Sequence, residues 1–376
     1  MKILYVAASP VPSKAANSVH VVKMAQALAK NGHSIELFVP IPLHLKSSPL
    51  THQNIYQIYG VEPIFKFTQW SLFPTKLGQI IFSLSAYLNA LFGKVDFVFT
   101  RCLPTAILMA TLRVPVVYER HSDFGEGRSL NKIMYAQLIK SCFHKGTIVV
   151  SQALKNFFIE TFGIKDSLVM VAADGSDPIP EQEYPCPFQK NSRKSIGYIG
   201  HLYKGRGIEV IAEIAKDHMN CDFHIVGGNE EDLSFWKKQL NYQSNIIFHG
   251  HVSHAETKNF MMNFDVLLAP YQNKVEVAGG GNTEKWMSPL KIFEYMSSGK
   301  PLICSDISVL KEVLHHGINC MLCPPDNPKI WSETLSKLVD DNIFANSIGE
   351  NAKKDFLENY TWQIRAKRII NTLFKI

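Results

Sequence analysis

The sequence predicts an α/β chain built as two parallel-sheet domains in tandem. Three observations carry this. Short apolar strands alternate with helical stretches in both halves of the chain, the pattern of a parallel sheet covered on both faces. Residues 174–194 hold four prolines and no apolar periodicity, and they separate two runs of that alternation. A length of 376 residues also exceeds what one compact core usually fills.

The elements follow in order. "KILYVAASP" opens as a strand, and "NSVHVVKMAQALAKNGH" continues as a helix that stops at Gly32. Strands are expected at "SIELFVP", "DFVFT", "VPVVYE" and "GTIVVS". Past the proline-rich stretch the alternation restarts with "SIGYIG", "CDFHIVGG", "NIIFHG", "DVLLAP", "KPLICSD" and "NCMLCPP". The expected domains are 1–180 and 181–360, with a helix over 361–376 crossing back to the first. Two such sheets leave a cleft outside the carboxyl ends of their strands, which is where ligands of this architecture bind.

Between Lys76 and Lys94 lie 17 uncharged residues, "LGQIIFSLSAYLNALFG", at the short limit for a membrane span. Leu77, Ile80, Ile81, Leu84, Leu88 and Leu91 recur at helical spacing, while Gln79, Ser83 and Asn89 fall off that stripe. The segment reads as an amphipathic helix. Core packing is its expected use, and contact with a bilayer surface is the alternative.

Charge is unevenly placed. Residues 1–190 hold 18 Lys and Arg against 12 Asp and Glu, and residues 191–376 hold 21 of each, so the first half carries the whole net charge of +6. The excess suits an anionic partner, either a membrane surface or a phosphorylated acceptor, although ordinary solubility charge would account for it as well. Nucleic acid is not an expected partner. The cysteines, odd in number at 7, sit mostly in apolar runs, which fits buried thiols in a reducing compartment. "CMLC" at 320–323 alternates like a short strand and reads as core. The opening "MKILYVAASP" turns too soon for a signal peptide, so the expected location is the cytoplasm, with a peripheral position on the inner face of the cell membrane as the alternative.

Three motifs bear on chemistry. The first strand–helix turn, "ASPVPSKAANS", has no glycine, which disfavours an NAD-dependent oxidoreductase. The corresponding turn of the second domain, "GHLYKGRGIEV", sets Gly200, Gly205 and Gly207 among His201, Lys204 and Arg206. Close backbone approach and positive charge at a helix start suit a phosphate or diphosphate, and the alternative is a solvated loop. In "SPLKIFEYMSSG" Ser288 is the expected N-cap and Pro289 the first helical residue, with the helix ending at Gly299. Its amide end would add a second anion site beside the glycine turn. Lys291 and Glu294 share a face of that helix. A carboxylate just beyond a phosphate site is suited to accept hydrogen bonds from two ribose hydroxyls, and the alternative is an ion pair with Lys291.

In their order, "YIGHLYKGRGIE", "FHGHV", "DVLLAPY" and "SPLKIFEYMSSGKPLICSD" resemble the nucleotide-sugar domain of retaining glycosyltransferases of family four (glycosyl transferases group 1). "VVSQALKNFF" followed by "DGSD", and "TWQIRAKRII" near the end, are similar to that family too. The resemblance implies the GT-B fold, two Rossmann-like domains facing a central cleft. It implies that Glu294 binds the donor ribose and that the turns around Gly200 and around Ser288, Pro289 and Leu290 contact the diphosphate, with Lys204, Gly205, Lys291 and His251 in the same donor site. The family's basic pair falls on His201 and Arg206; Arg206 keeps the charge, and His201 shares the role only if protonated. His121, at a strand end in "VVYERHSD", matches the family's first-domain histidine facing the transferred sugar. Asn17, Ser18, His20 and Glu284 are the expected contacts to acceptor or sugar.

One departure stands out. The first of two acids that the family often carries eight residues apart would fall on Trp286. Glu284, Glu276 or backbone amides of "AGGGN" could take its place. No Asp-x-Asp and no histidines at ligand spacing are present, so neither a metal nor a cofactor is expected. The reading is a retaining, metal-independent glycosyltransferase, moving a sugar from a UDP- or GDP-linked donor to a hydroxyl of a glycan or lipid-linked glycan. Its rivals are a catalytically inactive nucleotide-sugar-binding protein on the same fold, motivated by Trp286, and a sugar-nucleotide epimerase, for which no well-placed acid pair is at hand.

Overall fold

Each half of the chain builds its own sheet. The computed structural model describes residues 1–13, 15–42, 55–72, 75–125, 129–240, 243–275 and 282–375. It divides into one unit of residues 1–174 with 362–376 and another of residues 175–361.

The first unit runs β1 (Lys2–Val6), α1 (Ala16–Lys30), β2 (Ser34–Pro42), α2 (Ile55–Tyr59), β3 (Lys66–Leu72), α3 (Lys76–Gly93), β4 (Phe97–Thr100), α4 (Leu103–Thr111), β5 (Val116–Arg120), α5 (Leu130–Leu138), β6 (His144–Val149), α6 (Gln152–Phe162) and β7 (Val169–Val171). Its sheet has the order β3-β2-β1-β4-β5-β6-β7, with every pairing parallel. The second unit runs β8 (Lys194–Ile199), α7 (Ile208–Asp217), β9 (Cys221–Val226), α8 (Glu230–Gln239), β10 (Ile246–Gly250), α9 (His254–Asn263), β11 (Val266–Ala269), α10 (Leu290–Ser298), β12 (Leu302–Ser305), β13 (Met321–Cys323), α11 (Pro328–Asp340) and α12 (Asn342–Asn359). Its order, β10-β9-β8-β11-β12-β13, is again all parallel. Both sheets therefore reverse direction beside their first strand, at β1/β4 and at β8/β11, and a doubly wound sheet binds ligands at that place.

The strands read from apolar runs are present, and Cys320 and Cys323 are buried in and beside β13. Two strands lack such a run. β3, "KFTQWSL", is half-exposed at one sheet edge, and β7 is three residues at the other, so neither needs a continuous apolar sequence. The chain returns to the first unit as α13 (Trp362–Phe374), which packs on α1 and β6 and sets Phe374 4.5 Å from Phe97. Residues 175–193 belong to the second unit and are not a free linker. Phe188 lies 4.1 Å from His224 and stacks on Phe264, and Asn263 Nδ2 donates to the Tyr184 carbonyl.

The expected core packing of α3 is reversed. Leu77, Ile80, Ile81, Leu84, Leu88 and Leu91 face solvent, with Leu77 65% and Phe92 80% exposed. The buried face is instead Phe82 with Gly78, Ser83, Ala86 and Ala90, the last four small residues that let the helix approach α4 closely, with Ser83 Oγ 2.9 Å from Thr105 Oγ1. No described helix is long and apolar enough to cross a membrane.

Candidate active site

At the switch point of the second sheet, β8 ends at Ile199, Gly200 follows it, and the turn beyond carries Arg206. The glycines there are required by packing. Gly205 and Gly207 have φ of 85° and 81°, and a Cβ on them would stand 1.9 Å from the Lys274 carbonyl oxygen and 1.8 Å from that of Pro270. The turn is thus pressed against the backbone that follows β11, which brings Arg206 to Tyr271. Replacing Gly207 with alanine should destabilise the second unit by about 2 kcal/mol or more, read as a lowered unfolding midpoint.

Helix α10 begins at Leu290, one residue later than expected. Pro289 is the N-cap, at φ −77° and ψ 125°, and no side chain caps the end; Ser288 is displaced from that role because the proline holds an extended conformation before the first turn. The helix closes on Gly299 at φ 69°. The fully buried Tyr295 pins it to the sheet, where its hydroxyl accepts from the Ile199 amide at 2.7 Å. That bond sets Lys291 beside Gly200, where a Cβ would come within 3.1 Å of the Lys291 ammonium.

Lys291 Nζ lies 4.0 Å from the ring centre of Tyr198 and 4.8 Å from that of Tyr271, and the Arg206 guanidinium sits 5.5 Å from the Tyr271 ring. Lys291 Nζ, Arg206 Nε and the Tyr271 hydroxyl are all buried and make no hydrogen bond among the described residues. Burial, and after it the charge of Arg206, holds the Lys291 ammonium well below the usual lysine range. A buried ammonium, a guanidinium Nε and a phenol hydroxyl without hydrogen-bond partners among the described residues are costly unless an anion arrives to satisfy them. No ion pair joins Lys291 to Glu294 among the described residues. Glu294 instead has its carboxylate partly open, 19% exposed, with His254 Nδ1 at 3.7 Å.

The other donor-side residues gather around the same turn. His201 stacks on Tyr203, and burial, with Arg206 and Lys291 after it, lowers its pKa from the ordinary value, so it is neutral at pH 7 and brings no charge. Lys204 and His251 are exposed, and Ser288, Pro289 and Leu290 half-buried. Glu284 and Trp286 are half-buried on the segment before α10; Glu276 and most of "AGGGN" lie outside the described residues.

In the first unit His121 follows directly on β5, its side chain 22% exposed. Its Nε2 lies 3.1 Å from Glu119 Oε1, and burial, with Arg101 after it, pushes its pKa down to about 4. Asn17 is exposed. Ser18 is buried, its hydroxyl 2.8 Å from the carbonyls of both Ser13 and Ala15, and His20 is 1% exposed with its ring edge-on to His121. His20, Glu119 and His121 cluster closely enough to ligate a metal, but Glu119 Oε1 already receives the Arg365 guanidinium at 2.5 Å, and a divalent ion would meet that charge on the same oxygen.

Two family descriptions match the chain: Glycosyltransferase Family 4 over residues 18–178 and Glycosyl transferases group 1 over residues 185–355. The chain is a family-four glycosyltransferase. An uncharacterized glycosyltransferase of Methanocaldococcus jannaschii is 25% identical over 96% of this glycosyltransferase and 94% of its own length. Among solved structures, Anabaena HepE in complex with UDP superimposes with a TM-score of 0.72 at 16% identity, each chain covered at 100%. Staphylococcus aureus TarM, solved as a mutant with UDP and saccharide ligands, does so at 0.73 and 10% identity, each chain covered at 99%. These likenesses fix the GT-B fold of the glycosyltransferase.

Sequence reasoning missed Tyr198, Tyr271 and Tyr295, which read as core, and Arg101. Arg101 stands at the end of β4, beside the first sheet's switch point, and has a buried Nη1 without a hydrogen-bond partner among the described residues.

Proposed function

We propose that this glycosyltransferase moves a sugar from a nucleoside diphosphate sugar to a hydroxyl of a glycan or lipid-linked glycan, with retention and without a metal ion, in the synthesis of a cell-surface polysaccharide or glycolipid. The observation that carries the reading is the cluster of Lys291 Nζ, Arg206 Nε and the Tyr271 hydroxyl, buried and without hydrogen-bond partners among the described residues. A diphosphate seated there would satisfy all three groups, and the open amide end of α10 adds to the same field. Glu294, one helical turn further, would take the ribose hydroxyls. UDP is bound in HepE and TarM, so UDP-sugars are the first donors to try.

Charge develops on the departing diphosphate. Arg206 and Lys291 would stabilise it in place of a divalent ion. The acceptor oxygen bonds to the anomeric carbon on the face the diphosphate leaves, the bond from that carbon to the phosphate oxygen breaks, and the hydroxyl proton passes to the departing phosphate. His121, neutral at pH 7, serves as a hydrogen-bond partner to the sugar and not as a cation. Trp286 favours one other reading, nucleotide binding without turnover. A thermal-shift screen of nucleotides and nucleotide sugars, followed by transfer assays with the donor that stabilises the protein, separates them. Stabilisation by a nucleotide sugar with transfer supports the enzyme; stabilisation with no transfer or hydrolysis supports the binder; no stabilisation by any sets both aside.

The same proposal places the enzyme in the cytoplasm on an anionic membrane face. With α13 included, the first unit holds 21 Lys and Arg against 9 Asp and Glu, and the second 18 against 24. The solvent-facing leucines and isoleucines of α3 belong to the cationic unit. Co-sedimentation with phosphatidylserine-containing vesicles is expected at low salt, weakened at about 1 M salt, and cut at least about tenfold by Leu84→Ser with Leu88→Ser. Absence of binding at low salt removes the membrane from the proposal.

A further inference from the structure

His121 is held from behind by the points where the chain leaves and rejoins its unit. Glu119, 0% exposed, is the hub. Its Oε1 lies 2.5 Å from Arg365 Nη2, 3.1 Å from His121 Nε2 and 3.2 Å from His20 Nε2, and its Oε2 lies 3.5 Å from the Tyr5 hydroxyl. Arg365, on α13, also donates from Nε to the Ala173 carbonyl at 2.9 Å and from Nη2 to that of Ala172 at 3.2 Å, so its fork is set by the outgoing chain. Asp174, the last residue of that segment, has Oδ1 3.0 Å from His20 Nδ1 and Oδ2 3.9 Å from His121 Nδ1. Trp362, the first residue to return, meets the His20 ring edge-on at 5.1 Å, and His20 meets His121 edge-on at 4.8 Å.

We propose that Arg365 is a positioning residue for the transfer: through Glu119 it fixes the ring and the tautomer of His121, with Trp362 and Asp174 holding His20 as the backstop. The inference rests on the reading that His121 faces the transferred sugar. An ionised Glu119 only accepts hydrogen bonds, so it keeps the His121 proton on Nε2 and leaves Nδ1 as the acceptor nitrogen. Burial alone would raise Glu119, but the Arg365 guanidinium, followed by the two histidines, keeps it well below the usual carboxylate range. Around His121 the ionisable neighbours are therefore Glu119 and His20, Asp174, Arg101, Tyr5, and Arg365 from the returning helix. A contact made 246 residues further along the chain thus orders His121.

The test is nitrogen NMR of histidine-labelled full-length protein, alongside the donor assay. In the wild type His121 should show one tautomer, protonated on Nε2, and a titration midpoint near 4. Arg365→Gln removes the competing cation from Glu119, so the midpoint should rise by at least about one pH unit and the tautomers should mix. Turnover should fall by about tenfold or more at unchanged donor affinity. Arg365→Lys, which keeps the charge without the fork, should recover the midpoint and part of the turnover, and it decides the matter if the glutamine variant does not fold. Wild-type tautomer, midpoint and turnover in Arg365→Gln would overturn the proposal. His121→Ala separates the two ideas. If it leaves turnover intact, the sugar-facing reading of His121 fails, and positioning for the transfer fails with it. If it abolishes turnover while Arg365→Gln does not reduce it, only the positioning role fails.

Discussion

Replacing Lys291 with methionine is expected to make the ligand-free protein more stable while it disables transfer. The ammonium is buried on two tyrosine rings, with Arg206 as a neighbouring like charge and no hydrogen-bond partner among the described residues. An apolar side chain of similar length keeps the packing and removes that cost, so unfolding free energy should rise by about 1 kcal/mol or more. On the proposed function the ammonium is also a charge aimed at the departing diphosphate. Its loss should lower kcat by about 100-fold to 1,000-fold, the range for removing one preorganised donor from developing negative charge. Opposite signs in the two measurements mark a functional group retained at a cost to the fold. A destabilised methionine variant would show that Lys291 is structural.

The second large effect is expected at Glu294. Glu294→Ala should weaken UDP by about 10- to 100-fold, the worth of hydrogen bonds to a charged acceptor, and leave inorganic pyrophosphate unaffected. Lys291→Met should weaken both. Calorimetric titration of the two ligands into the two variants therefore separates the ribose contact from the phosphate contact. Equal weakening of pyrophosphate by Glu294→Ala would mean that the carboxylate acts on the phosphate site as a whole.

Much of this was visible in the chain before folding, and the failures have physical causes. β1 and β8 are buried parallel strands and read as apolar runs, whereas β3 at the sheet edge needs no such run and gave no signal. In α3 the period of 3.6 was right and the face was wrong. Leu77, Leu84 and Leu91 mark a stripe that a sequence assigns to the core, but Ala86 and Ala90 allow the closer approach to the rest of the unit, and they are what the fold buries. Glycines 205 and 207 could be read as a turn, while their cause, the carbonyls of Lys274 and Pro270, lies about seventy residues away in sequence. His121 and Glu294 stand out because a strand end and a capped helix bracket them. Arg365 and Asp174 do not, since what they do is defined only once α13 lies against α1 and β6. Tyr198 and Tyr271 look like core at any stage short of the structure, because only their rings' position under Lys291 gives them a second use.

The central claim is that the trio of Lys291, Arg206 and Tyr271 is the seat of a diphosphate. A crystal structure of the full chain with UDP tests it directly. The account predicts phosphate oxygens within hydrogen-bond distance of Lys291 Nζ and Arg206, with both ribose hydroxyls on the Glu294 carboxylate. UDP bound elsewhere, with Lys291 still unpaired on its two tyrosine rings, would contradict it.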